Sequence, residues 1–513
     1  MSEARAEVLH EIQVDDAYPS GWALSSIGEV AEVNPSKATL KLEDDDIVSF
    51  IPMAAVEPLS NVIDLSATRA FKDVKKNFTR FVEDDVLFAK ITPCMENGKV
   101  AVAKGLHQGR GCGTTEFHVL RPSHAISSKY LFYFVVRDAF RNDAKRNMSG
   151  AVGQQRVPAD FVRDAEIPLP PLAEQERIVS KIDELFSDIE AGERALKRAR
   201  AALARYRKSV LKAAVTGALT VDWREANKDK LQPADKLLAR ILTARREAWE
   251  KSERAKLEGQ GKSPKGEEWK KRYTEPASPD RATDVALPNG WSWCAFDQII
   301  IGFLNGLSKK PAEEPPGDRI LRISAVRSMA VNANDIRFYR AEKSENVDGY
   351  FLEDDDLLFT RYNGSARLVG VCGRFKGKEK TLYPDKIMRA RLASPMLTLP
   401  AYVELAMNSG ASAAHISSNV KTSAGQHGIA GSDVKRTPVP LPPIAEQTEI
   451  VSRVEEAFSK ADHVGAALDE QERAARALKQ SILKAAFQGR LVPQDPNDEP
   501  AAKLLERIKK GRK

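Results

Sequence analysis

Several groupings in the sequence have residue types that could do chemistry. Gly261-Lys262-Ser263 ends like a phosphate-cradling loop, but the glycine needed five residues upstream is Lys256. His107, Cys112 and His118 are metal ligands by type, yet their uneven spacing fits no zinc pattern, and they read as sheet or loop residues. Asp84-Asp85 and Asp355-Asp356 look like paired catalytic carboxylates. Each pair precedes an apolar run, so both read as turns. Glu268-x-Lys270 lacks the nearby upstream Pro-Asp of a nuclease site. No G-x-G-x-x-G follows a strand-like run, which removes the dinucleotide and methyl-donor fingerprint. Pro170-Pro171 and Pro442-Pro443 are followed by Leu172 and Ile444, where an amino-methylating loop would carry an aromatic. These residues predict a chain that binds rather than catalyses, with no catalytic residue, metal or cofactor of its own.

The elements that position the binding residues follow from the rest of the chain. At 513 residues, 42% of them hydrophobic and 29% charged, the sequence can form three or more structural units. The mean hydropathy of -0.40 and the lack of a long apolar run exclude a spanning helix. Residues 1–16 have no apolar stretch, so no secretory leader is expected. Cys94, Cys112, Cys294 and Cys372 lie far apart, which suits a reducing cytoplasm and not a disulfide framework. The net charge of +7 favours an anionic partner weakly, because residues 476–513 alone hold 10 Lys/Arg against 4 Asp/Glu.

The informative feature is an internal repeat. Residues 168–219 align without a gap to 440–491, and 23 of the 52 positions are identical. Pro168-Leu169-Pro170-Pro171 returns as Pro440-Leu441-Pro442-Pro443, and Leu211-Lys212-Ala213-Ala214 as Leu483-Lys484-Ala485-Ala486. Weaker echoes precede each block. Pro19-Ser20-Gly21-Trp22 matches Pro288-Asn289-Gly290-Trp291, and Gly153-Gln154 matches Gly425-Gln426. The expected plan is a domain and a helix, written twice, with the two domains alike in scaffold and different in surface.

Both repeated blocks read as long helices with a heptad seam. The first seam runs through Ile178, Ile182, Leu185, Ile189, Leu196, Leu203, Tyr206 and Val210. The second runs through Ile450, Val454, Val464, Leu468, Leu478 and Ile482. The prolines fix an extended approach, and Gly217 and Gly489 are natural stops. Each helix would be roughly 70 Å long. Charge sets the direction. Residues 174–193 hold seven acids and two bases, while 194–212 hold eight bases and no acid, and the second helix repeats the pattern. Antiparallel pairing sets acid against base, with Arg198, Arg200, Arg205 and Arg207 expected to face Glu449, Glu455 and Glu456. An amphipathic helix is predicted over residues 234–258 before a Gly/Lys loop, and Ala501 to Ile508 echoes its start.

These proline-led helical blocks, in two copies separated by unlike domains, resemble the specificity subunit of type I restriction–modification enzymes over nearly the whole chain. Gly113-Thr114-Thr115-Glu116-Phe117-His118-Val119-Leu120-Arg121-Pro122 is similar to a motif common in that family's target recognition domains. Leu358-Phe359-Thr360-Arg361-Tyr362-Asn363-Gly364-Ser365 and Tyr383-Pro384-Asp385-Lys386 look like a second class of the same domain. Trp249 and the loop to Tyr273 resemble the family's longer-linker branch.

The resemblance implies a mixed α+β fold, with two α/β target recognition domains separated by an antiparallel two-helix coiled coil and a pseudo-two-fold axis from the duplication. The expected division is an N-terminal tail 1–18, a first recognition domain 19–167 and a central conserved helix 168–220. A linker 221–285, a second recognition domain 286–439, a distal conserved helix 440–491 and a basic tail 492–513 follow. The implied function is sequence-specific reading of double-stranded DNA, each domain reading half of a bipartite asymmetric site while the coil sets the spacer. The implied partners are two methyltransferase subunits and two motor-nuclease subunits. S-adenosylmethionine, ATP and magnesium would be used in those other subunits.

Base reading needs donors and acceptors that reach the major groove, with Arg favoured for guanine and Asn/Gln for adenine. The candidates in the first domain are Lys90, Thr92, Asn97, Lys99, Arg110, Thr114, Thr115, Gln154, Gln155 and Arg156. In the second they are Arg361, Asn363, Ser365, Arg367, Lys386, Arg389, Lys421, Gln426 and His427. Half or more of such residues ordinarily meet phosphate or solvent. Two other functions remain open on the residues alone: a coiled-coil scaffold for protein partners without sequence-specific readout, and an intact nuclease or methyltransferase.

Overall fold

The computed structural model describes residues 18–36, 42–151, 153–261, 266–279, 285–342, 344–423 and 425–511. Residues 1–17 of the expected tail, Lys262 to Lys265 of the Gly/Lys loop and the last two residues lie outside that set. The fold is mixed α+β and forms two compact units, Met1–Arg198 with Leu468–Lys513, and Ala199–Ala467. No described helix is long and apolar enough to cross a membrane.

The repeated blocks are helices Leu172–Val215 and Ile444–Phe487. Each starts at the proline pair, where the Gln175 and Gln447 amides donate to the Pro171 and Pro443 carbonyls at 2.9 and 3.0 Å. Each stops at a glycine with positive φ, Gly217 at 72° and Gly489 at 69°. A Cβ there would come within 2.4 Å of Pro288 and 2.5 Å of Pro19, so both the backbone angle and the close approach demand glycine.

Within each unit the two helices run antiparallel. In the first unit Ile178 and Ile182 share a core with Ile482, Leu483 and Phe487, and further along Lys479 donates to Glu193 at 2.9 Å. In the second, Val210 and Ala214 share a core with Ile450 and Val454, and Arg207 pairs with Asp462. The pairing differs from expectation in detail. Glu449 pairs with Arg453 and Glu456 with Lys460, both at 2.6 Å and on their own helix, rather than with the arginines expected to face them. Tyr206, Val464 and Leu478, expected in the seam, are 47, 50 and 42% exposed.

The first globular region is closed by its own entry and exit strands, Ala23–Ser26 against Glu166–Leu169. Between them lie two four-stranded sheets. One orders Ala31–Val33, Phe117–Pro122, Val86–Ala89 and Val100–Val102; the other orders Thr68–Ala70, Ile47–Ile51, Arg110–Gly113 and Thr79–Val82. Alternation puts Val86, Phe88 and Leu120 in one core and Leu87, Ala89, Phe117 and Val119 in another, so the first sheet is buried on both faces. The second region repeats the plan. Ser292–Ala295 pairs with Pro438–Leu441, and Ile300–Asn305, Ile387–Leu392, Leu357–Thr360 and Cys372–Arg374 form the matching sheet. Tyr130 and Tyr402 each donate a hydroxyl to the proline carbonyl of the exit strand, Pro168 and Pro440, at 2.8 Å.

The duplication extends beyond the long helices. Ala234 of the linker helix (Ala234–Gly259) donates to the Gly290 carbonyl at 2.9 Å, and Ala501 of the tail helix (Ala501–Gly511) donates to Gly21 at 3.0 Å. Trp291 Nε1 donates to Glu446 at 2.8 Å, and Trp22 Nε1 to Glu174 at 3.1 Å. Each globular region therefore packs on the start of one long helix, the end of the other, and a following amphipathic helix.

Candidate nucleic-acid interface

The acidic pairs are turns, and they do a second job. Asp84 and Asp355 adopt positive φ, at 65° and 68°. Their neighbours Asp85 and Asp356 are 1% exposed, and each accepts a backbone N–H three residues back, from Val82 and Glu353, at 2.8 Å. Each also holds an arginine through two bonds: Arg121 on Asp85 at 2.9 and 2.8 Å, Arg391 on Asp356 at 2.8 Å twice. These carboxylates fix the turn that leads into Val86–Ala89 in one region and into Leu357–Thr360 in the other.

His118 is a satisfied core histidine. Its Nε2 lies 2.8 Å from the Val157 carbonyl and its Nδ1 3.0 Å from the Asn34 side-chain nitrogen, and burial pushes its pKa down. Cys112 sits in a different small core with Val48, Phe71 and Val74. Among the described residues no group of three or more His, Cys, Asp or Glu side chains could hold a metal ion.

At the end of the sheet remote from the acidic turn, the first unit gathers several of its candidates. The Lys90 amide donates to Glu116 at 2.9 Å, and Val157 donates back to Lys90 at 2.9 Å. Thr92 donates to the Gln155 carbonyl at 3.0 Å, and Arg156 exchanges two bonds with Ser149 at 2.8 and 3.0 Å. Lys90, Thr92, Thr114, Gln154, Gln155 and Arg156 thus stand on adjoining strand ends and one hairpin, with Thr115 on the same turn as Thr114. Burial pushes the Lys90 ammonium pKa down, and the hydrogen bond from Arg156 lowers that of the Glu116 carboxyl.

The second unit builds the same frame. The Arg361 amide donates to Lys386 at 2.7 Å, and Ile429 donates to Arg361 at 3.1 Å. Tyr362–Asn363, Gln426–Gly428 and Lys421–Ser423 form a three-stranded ribbon in which Gly428 opposes both Tyr362 and Lys421. Ile91 and Ser149 oppose Arg156 in the same way in the first unit. Side chains at matching places differ: Lys90, Glu116 and Arg156 in one, Arg361, Lys386 and Gly428 in the other. Arg361 lies 4.8 Å from the Tyr362 ring centre. Asn363 accepts the Ser365 amide at 3.0 Å, and His427 Nδ1 lies 2.9 Å from the Thr422 hydroxyl. Arg367 is exposed on the turn that follows.

Some candidates are elsewhere. Arg110 starts its strand at the far end from Thr114 and pairs with Asp46 at 3.2 Å. Lys99 turns its ammonium to the Met53 carbonyl at 2.8 Å, and Asn97 lies within the turn after Pro93. Arg389 is 6% exposed and its guanidinium reaches the Gly349 and Phe351 carbonyls, so it braces a loop. Sequence reasoning missed Glu116 and Tyr362, which orient neighbouring guanidinium groups. An acid beside Thr114-Thr115, and an aromatic beside Arg361, were the available signals.

Comparison with known proteins agrees with this architecture. Residues 19–198 match the family described as type I restriction modification DNA specificity domain. The chain is 32% identical to the EcoKI specificity subunit of Escherichia coli strain K12, covering 96% of both chains. It is 28% identical to the EcoEI specificity subunit of Escherichia coli, covering 91% of this chain and 83% of that one. A solved chain, from a study of complex assembly and conformational transition in the type I R-M system, shares the fold with TM-score 0.61 at 16% identity, covering 92% of this chain and 99% of that one. Two recognition regions on one frame, the paired long helices and relatives matched almost end to end lead to one conclusion: this chain belongs to the specificity subunits of type I restriction enzymes.

Proposed function

We propose that each globular unit reads one half of a bipartite, asymmetric site in double-stranded DNA, the paired long helices setting the spacer and docking the methyltransferase subunits. The observation that carries this reading is the shared backbone frame with unlike side chains at its exposed end. One frame with two sets of donors and acceptors is what two different half-sites require. The chain supplies recognition and no chemistry. Two methyltransferase subunits would bring S-adenosylmethionine, and two motor-nuclease subunits would use ATP and magnesium, in a cytoplasmic complex. The test is to exchange residues 19–167 for the matching domain of a relative and sequence the methylated motif. One half of the motif should change and the other stay. A change in both halves, or in neither, refutes independent reading.

A further inference from the structure

Among the candidates gathered at that end of the first unit, Arg156 has its guanidinium held by a carboxylate. Its Nε donates to Glu116 Oε2 at 2.9 Å and its Nη2 to Oε1 at 2.8 Å, while Nη1 donates to the Gln154 carbonyl at 3.1 Å. The side chain is nonetheless 43% exposed. A carboxylate clamped along the Nε–Nη2 side leaves the outward fork of the guanidinium, Nη1 and Nη2, with protons to give. That fork matches the N7 and O6 acceptors of guanine in the major groove. An unclamped arginine loses rotamer freedom on binding, whereas this one has lost it beforehand.

The alternative is that the pair merely pins the hairpin to the sheet. The second unit argues against it. There the same backbone bonds form with Lys386 at the place of Glu116 and Gly428 at the place of Arg156. A Cβ on Gly428 would come within 2.5 Å of the Tyr362 ring, so the ring fills the space the arginine takes in the first unit. The frame folds without the ion pair, and the pair is private to one unit.

We propose that Arg156, oriented by Glu116, is the residue of the first unit that reads a guanine. Resting on the reading of the units as half-site readers, this adds the base and the side chain. The experiment selects bound duplexes from a randomised pool with the full chain, co-purified with its methyltransferase subunits, and compares wild type with Arg156→Lys, Arg156→Ala and Glu116→Gln. Wild type should enrich a bipartite motif. Both Arg156 variants should lose preference for one guanine, in one half only, by roughly 10- to 100-fold, while Glu116→Gln weakens the same preference less. Lysine keeps the charge but not the fork, so a lost preference in Arg156→Lys separates base reading from phosphate attraction, and it also serves if Arg156→Ala fails to fold. A motif unchanged in every variant, with binding reduced evenly, overturns the proposal in favour of a structural pin or phosphate contact. Loss of preference at a base other than guanine overturns it as well. If wild type enriches no motif, the half-site reading itself fails, and the proposal falls with it.

Discussion

His118 shows how one residue of a duplicated frame acquires its own chemistry. It sits opposite Phe88 in the first unit, where Met388 sits opposite Phe359 in the second. Burial depresses the imidazole pKa, so on acidification the unfolded chain takes up a proton, at about 6.5, before the folded unit does. The contribution is fully present above that value and is lost as pH falls below it. Unfolding of the full chain followed from pH 7.5 to 5 should therefore show acid sensitivity in the first unit. His118→Met, copying the second unit, should remove that slope whatever it does to stability at pH 7.5. A slope that survives the substitution assigns the sensitivity to other groups. The turn role of Asp85 and Asp356 was legible in the sequence, because an acid pair before an apolar run is a local signal. Their partners Arg121 and Arg391 were not, since a bond across 36 or 35 residues depends on strand pairing. Arg389 was misjudged for the same reason: sequence gives the residue type, and the sheet decides whether it is buried.

Among the elements, the long helices were the most legible, because an ungapped repeat and a charge pattern are both one-dimensional. Their direction follows from charge, yet the individual pairs do not, since register depends on the packing at each end. Arg207 faces Asp462, and not the acids nearer the start of the second helix. Arg207→Glu should cost about 0.2–1 kcal/mol, as expected for a partly exposed pair, and adding Asp462→Arg should recover part of it. Chemical denaturation of the four members of the cycle measures the coupling. A coupling of zero would mean that this pair does not help set the register. The sheets were less legible than the helices, because their short strands pair across long loops.

At the scale of the molecule, both long helices contribute to both compact units. Inserting four residues after Arg194 would lengthen the first helix by ~6 Å and rotate it by roughly 400°. In the matched hairpin this should lengthen the preferred spacer or abolish binding, as read by sequencing the methylated motif. Modification at the original spacing and the original rate would show that the helices are not the ruler.

The same division governs the order in which the protein is made. The second unit is one continuous stretch, Ala199–Ala467, whereas the first needs Leu468–Lys513 to complete Met1–Arg198. Phe487, packed against the Tyr130 and Phe134 rings, and Ala501, bonded to Gly21, belong to a core whose other half left the ribosome long before. At about 5–20 residues per second, the delay between the two parts is on the order of 15 to 50 s. Throughout that time Ile178, Ile182 and the aromatic helix Ser128–Val136 lack the surface that covers them. The domain encoded first is thus the one finished last, and its unfinished face is what a chaperone would meet during synthesis.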